Sequence, residues 1–131
     1  MEGKDLFDYF NQRDLKISES RVKSIVYQIA QALKYLHDFG IIHRDLKLDN
    51  IMMTDNSDLS KPKLGDFGLA KIVASQQKVT ESFGTMNYVS PEILKKDPYS
   101  YSTDIWSFGV IVYALISGLF PFDHEDEAIA C

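Results

Sequence analysis

The sequence predicts a mainly α fold with a few very short strands, and three observations predict it. Val22, Ile25, Val26, Ile29, Ala30, Leu33 and Leu36 recur at helical spacing and form one apolar stripe. Ile105 to Ile116 is apolar on all sides, as in a helix buried at the centre of a large lobe. Between these stretches the apolar runs are brief: Ile41-Ile42, Ile51-Met52-Met53 and Lys63-Leu64-Gly65, each room for only a minimal strand.

The elements follow in chain order. Residues 3–11 read as a short helix. Ser18 is placed to cap the long helix, with Glu19 in its first turn, and Gly40 to close it after about Asp38. Thr54 to Pro62 is a polar turn rich in Asp, Asn and Ser. Leu69 to Phe83 is polar and has no sustained period, which predicts a mobile loop. Proline suits a first helical position, so Pro91 begins a helix and Ser90 is placed to cap it. Ser100 begins the last large element, which Asp104 opens with a carboxylate that must be hydrogen-bonded if buried. The 18 residues from Ile105 to Phe122 reach only the lower end of the length of a membrane span, and Ser107, Ser117, two glycines and Pro121 interrupt them. No membrane contact is expected.

Composition narrows the function classes. A chain of 131 residues with 45% hydrophobic and 25% charged content is long enough for a soluble domain with a sizeable core. A net charge of −5 and the lack of a basic run argue against a nucleic-acid partner. The single cysteine, Cys131, cannot form an intrachain disulfide, and neither a glycosylation acceptor nor a signal-peptide pattern occurs. An intracellular setting, cytoplasmic or nuclear, is therefore expected. His37 and His124 read as surface residues, and no histidine pair has metal-ligand spacing.

Chemistry concentrates in the middle of the chain. His43-Arg44-Asp45-Leu46-Lys47-Leu48-Asp49-Asn50 fills every fixed position of H-R-D-L-x-x-x-N, and Asp66-Phe67-Gly68 begins sixteen residues after Asn50. Gly84-Thr85 and Tyr88-Val89-Ser90-Pro91-Glu92 then follow the pattern G-T…A-P-E, with Ser90 in place of alanine. On these residues the chain resembles the eukaryotic protein kinases, most closely serine/threonine kinases of the calcium/calmodulin-dependent group.

The resemblance implies the helical C-terminal lobe of a kinase, with short strand pairs around the catalytic loop and no N-terminal β lobe. Residues 1–131 would form a partial domain, from the helix after the hinge to just past the central buried helix. Phosphoryl transfer from ATP asks mainly for positioning and for neutralisation of phosphate charge. Asp45 matches the base that accepts the substrate hydroxyl proton, and Lys47 the contact to the transferred phosphate. Asn50 and Asp66 match the oxygen ligands of Mg²⁺, a hard ion suited to such donors. Met52 matches the residue under the adenine, although plain core packing would use a thioether equally well. Asp5 falls where many members face the ATP ribose and basic substrate side chains, or it is simply an acid in a first helical turn.

Asp66 to Glu92 would be the activation segment. Thr85 matches the threonine that tethers the segment to the base and to Lys47. Arg44 marks a kinase whose loop is ordered by a phosphate facing that arginine, with Lys71 as second cation. The usual phosphorylation position holds Glu81, which would stand in for the phosphate, with Thr80 and Ser82 as flanking alternatives. Asp5 and Asp49 would select protein substrates whose serine or threonine follows an arginine. A calmodulin-type regulator would act outside this segment.

Neither a G-x-G-x-x-G loop nor a V-A-I-K lysine occurs in the chain. Two readings of different class stay open: a segment of an active kinase, and a catalytically inactive truncated product that acts as a protein-interaction module.

Overall fold

Asp5 starts the first helix with its own side chain, which accepts the Asp8 N–H at 2.8 Å. In the computed structural model, which describes residues 3–74 and 76–122, this helix, α1, spans Leu6–Asn11. The helix expected over 3–11 is thus shorter at its start. Residues 4 and 5 are used otherwise: Lys4 C=O accepts the Met53 N–H at 2.8 Å, and Asp5 bridges to Met52.

The long helix α2, Glu19–Asp38, is capped by the Ser18 hydroxyl, which accepts the Arg21 N–H at 3.3 Å. Its stripe buries Val22, Ile25, Ile29 and Leu33. Truncating such a residue, Ile29→Ala for instance, costs roughly 2–5 kcal/mol. Gly40 closes the helix at φ 74°, and a Cβ there would lie 2.9 Å from the Val73 carbonyl oxygen. Glycine is required on both counts.

The strands are as short as expected, but one was not foreseen. β1, Ile41–Ile42, pairs antiparallel with β4, Lys71–Ile72. β4 lies inside the stretch expected to be a mobile loop, and its two residues carry no periodicity to betray it. β2, Ile51–Met53, pairs antiparallel with β3, Pro62–Leu64. β3 therefore begins and ends one residue earlier than the expected Lys63–Gly65, although Gly65 still donates its N–H to Asn50 C=O at 2.8 Å. The polar turn between β2 and β3 is held against the helices by Tyr9, whose hydroxyl donates to Ser57 C=O at 3.0 Å, and by Arg13, which donates to Asn56 C=O at 2.9 Å.

The short helix α3 spans Pro91–Leu94. Ser90 stands at its N-cap, but its hydroxyl makes no cap bond. It pairs instead with the Thr103 hydroxyl at 2.9 Å, both side chains being buried. The expected serine cap is thereby corrected: a hydroxyl shut inside the core takes the buried partner at hand.

The last helix, α4, spans Ser102–Ser117, two residues later than expected, and ends at Gly118 with φ 76°. Val110, Ile111, Ala114 and Leu115 are buried in the main core with α1, α2 and β2. Ile105, Tyr113 and Ile116 face outward, Ile116 being 70% exposed. Burial on all sides was expected, and the described residues cover only one side. No helix among the described residues is long and apolar enough to cross a membrane. A second, smaller core of Ile42, Val73, Val79, Ile93 and Tyr99 lies under the stretch from β4 to α3.

Candidate active site

β1 runs directly into His43, Arg44 and Asp45. His43 is fully buried, and its two ring nitrogens have opposite partners. Nδ1 accepts the Asp45 N–H at 3.3 Å, so Nε2 carries the proton and donates to Gly65 C=O at 2.9 Å. The ring also packs on Phe67, with centroids 5.2 Å apart.

Arg44 has φ 69°, a conformation that costs a non-glycine residue energy and needs support from its surroundings. Asp104 supplies that support. Its Oδ1 accepts the Arg44 N–H at 3.0 Å and its Oδ2 the His43 N–H at 2.8 Å. The role expected of Asp104, a buried carboxylate satisfied by hydrogen bonds, is the one observed. His37 corrects the surface reading: its Nε2 donates to Asp104 Oδ2 at 2.8 Å, and its side chain is only 15% exposed. Nothing in local sequence reveals a partner 67 residues away. His124 lies outside the described residues.

Asp45 sits at the centre of a hydrogen-bonded cluster. Thr85 donates its hydroxyl to Oδ1 at 2.9 Å, and Lys47 Nζ donates to the same Thr85 oxygen at 3.0 Å. Asn50 Nδ2 donates to the Asp45 carbonyl at 2.8 Å and to Oδ2 at 3.2 Å. Lys47 Nζ also lies 3.8 Å from Oδ2. The carboxylate is therefore fixed in direction while each oxygen keeps lone-pair capacity. The short 3₁₀ turn Leu48–Asn50 places Asn50 beneath it and leaves Asp49 exposed.

The Gly65–Asn50 backbone bond brings the start of the next strand-end loop beside this cluster. Asp66 follows at φ 49°, exposed, with Oδ1 accepting the Gly68 N–H at 3.2 Å. Among the described residues, no three His, Cys, Asp or Glu side chains gather as a metal cage. Mg²⁺ needs no such cage where phosphates and water complete its shell, and it takes one or two protein oxygens. The Asn50 amide oxygen and the Asp66 carboxylate are hard donors of that kind, so the residues fit the ion. Met52 is half-buried on β2, opposite Lys63 in the register.

The stretch after Asp66 is held, not loose. Glu81 Oε2 accepts from Lys71 Nζ at 2.6 Å and from Arg44 Nη1 at 3.1 Å. The Lys71 hydrogen bond is the main reason its carboxyl is held below the ordinary value of 4.5, opposed by partial desolvation and aided by the charges of Lys71 and Arg44. Arg44 also donates to Leu69 C=O and stacks over the Phe83 ring at 4.8 Å. Thr80 and Ser82 flank Glu81 and are exposed. Further along, Ser107 donates to Tyr88 C=O at 2.8 Å and ties the segment to α4. Burial, reinforced by the Asp49 charge, holds the Tyr88 phenol well above its ordinary range.

This arrangement agrees with comparison to known proteins. The protein kinase domain family matches residues 1–130. The chain belongs to the protein kinase family. Serine/threonine-protein kinase 17A of Oryctolagus cuniculus is 42% identical over 88% of the chain, which spans 30% of that protein. Serine/threonine-protein kinase dkf-2 of Caenorhabditis briggsae is 42% identical over 86% of the chain and 9% of that protein. Smooth-muscle myosin light chain kinase of Gallus gallus is 39% identical over 99% of the chain and 7% of that protein. All three relatives are protein kinases, and the mainly α fold with short antiparallel strand pairs is as the sequence predicted. The chain spans less than a third of each of these relatives.

Proposed function

We propose that this kinase segment carries the catalytic loop of an enzyme that transfers the ATP γ-phosphate to serine or threonine in proteins. The observation that carries the reading is the Asp45 carboxylate held by Thr85 and Asn50, with Lys47 on the same threonine. Asp45 orients the substrate hydroxyl and takes its proton as the oxygen bonds to the γ-phosphorus and the bond to the ADP oxygen breaks. Lys47 supplies positive charge toward the transferred group. Asn50 and Asp66 would hold Mg²⁺, which would neutralise phosphate charge. Met52 would lie under the adenine.

Asp5 and Asp49 favour substrates with arginine two or three residues before the acceptor, through paired carboxylate–guanidinium contacts. A calmodulin-type regulator acts through a part of the protein outside residues 1–131. The segment from Asp66 to Glu92 is the activation segment, and Glu81 takes the place of a phosphate between Arg44 and Lys71. One carboxylate charge against nearly two for phosphate makes that replacement incomplete.

The test uses the full-length protein with Mg-ATP and a serine peptide bearing arginine three residues before the serine. Phosphate transfer is expected, with a fall of about 10²–10⁴-fold in Asp45→Asn, the range for loss of a general base. Transfer that survives Asp45→Asn unchanged overturns the assignment.

The second reading, a product that binds partners without catalysis, would use the outward face of α4, where Ile105, Tyr113 and Ile116 are exposed. The 131-residue chain alone has no glycine loop or V-A-I-K lysine, so it is expected to show no ATP turnover. Turnover by that chain, abolished in Asp45→Asn, excludes the second reading.

A further inference from the structure

The Glu81 carboxylate reaches both cations only if the backbone around it is held in place, and the grip comes from outside the segment. Val79 and Tyr99 exchange backbone hydrogen bonds in both directions, Val79 N–H to Tyr99 C=O at 2.8 Å and Tyr99 N–H to Val79 C=O at 2.9 Å. The Tyr99 hydroxyl then donates to the carbonyl of Glu81 itself. Its ring is 3% exposed and packs with Val79, Ile42, Val73 and Ile93 in the smaller core. A phenol buried to that degree needs a partner, and here the partner is the residue that faces Arg44 and Lys71.

We propose that Tyr99 is the positioning residue of the activation segment, fixing Val79 and Glu81 so that Glu81 meets Lys71 and Arg44. This rests on reading Asp66 to Glu92 as that segment. The α3–α4 connection thus acts on Arg44, and through it on the adjoining Asp45, by way of the Val79 bridge and the Tyr99 hydroxyl. An exposed ion pair alone holds such a loop weakly, because solvent and salt screen it. A part-buried hydroxyl–carbonyl bond from a ring packed in the core is screened less, so it supplies the geometry and the ion pairs supply the charge.

The test is tryptic cleavage after Lys78, beside Val79, in the full-length protein at neutral to mildly basic pH, compared with cleavage after the exposed Lys16, before Ile17, in the α1–α2 connection. Tyr99→Phe keeps the ring and removes only the hydroxyl. Cleavage after Lys78 is expected to rise about fivefold, the factor for one lost hydrogen bond, with cleavage after Lys16 unchanged. An equal rise at both sites, or none at Lys78, overturns the proposal.

A second arm measures coupling. Tyr99→Phe, Glu81→Gln and the double variant form a cycle, read in cleavage rate and in kcat/KM for the serine peptide. If Tyr99 acts through Glu81, the double variant is no worse than the more severe single one. Effects that simply multiply overturn the proposal. Selective cleavage with no phosphate transfer in any variant, wild type included, would refute the kinase activity and leave the positioning role standing.

Discussion

Asp104 and Arg44, 60 residues apart, are joined by a single hydrogen bond of 3.0 Å from the Arg44 N–H to Asp104 Oδ1. It holds the arginine at φ 69°, and the same carboxylate takes His43 N–H and His37 Nε2 on its other oxygen. The direction of the turn from His43 to Asp45 therefore depends on a residue of α4.

Asp104→Asn replaces one accepting oxygen by a donor that faces a backbone N–H. A buried, charge-assisted site broken in this way is expected to lose about 2–4 kcal/mol of stability, with strain at Arg44 released into the loop. Urea unfolding of the full-length protein checks this. His37→Ala should cost less, about 1 kcal/mol, because two backbone donors still hold Asp104. A larger loss in His37→Ala than in Asp104→Asn would show that the ranking is wrong.

Thr85 joins Lys47 to Asp45 through one hydroxyl. Thr85→Ala should leave the lysine and the carboxylate unaligned and lower kcat by about 10–100-fold, the scale of small misplacements at a reacting centre. Thr85→Ser keeps the hydroxyl and should recover most of the loss. Steady-state kinetics with the serine peptide distinguish the two, and a serine variant as slow as the alanine one would count against a hydrogen-bonding role.

The Glu81 carboxyl titrates below its ordinary value in the folded chain, chiefly through Lys71. A depressed carboxyl contributes fully above the ordinary value of 4.5 and loses its contribution as pH falls through the lowered one. Amide-exchange protection of residues 79–83, corrected for intrinsic rate, should thus hold steady from pH 8 to pH 5. A phosphate at Thr80 or Ser82, with a second ionisation near pH 6, would instead lose charge across that range. Protection that declines between pH 7 and pH 5 would point to the phosphate.

The proposed role of Asp5 and Asp49 in substrate selection can be tested apart from folding. Asp5 caps α1 with its side chain, so Asp5→Ala combines lost charge with a lost cap, about 1 kcal/mol. Asp5→Asn keeps a capping oxygen and removes only the charge. Asp49 is exposed and free of such a duty among the described residues. In a peptide array, both Asp5→Asn and Asp49→Ala should weaken the preference for arginine ahead of the acceptor. An unchanged profile in both would remove these residues from substrate recognition.

The sequence alone determined the elements with long signals. The stripe of α2, its Ser18 cap and its Gly40 stop were legible because period and end chemistry are local. Asp45, Lys47, Asn50 and Asp66 were picked out as candidates by their match to a family's motifs, and the carboxylate of Asp104 was expected to be hydrogen-bonded once buried. What only the tertiary structure decided is how distant polar groups pair. His37 turned out to serve Asp104, Ser90 to serve Thr103, and Tyr99 to serve Glu81. β4 appeared in a stretch with no period, because its two residues are ordered by β1 and not by their own pattern. The reason is the same in each case. Burial obliges a polar group to find a partner, but which partner is set by how the helices and strands pack, and packing joins residues that the sequence keeps far apart.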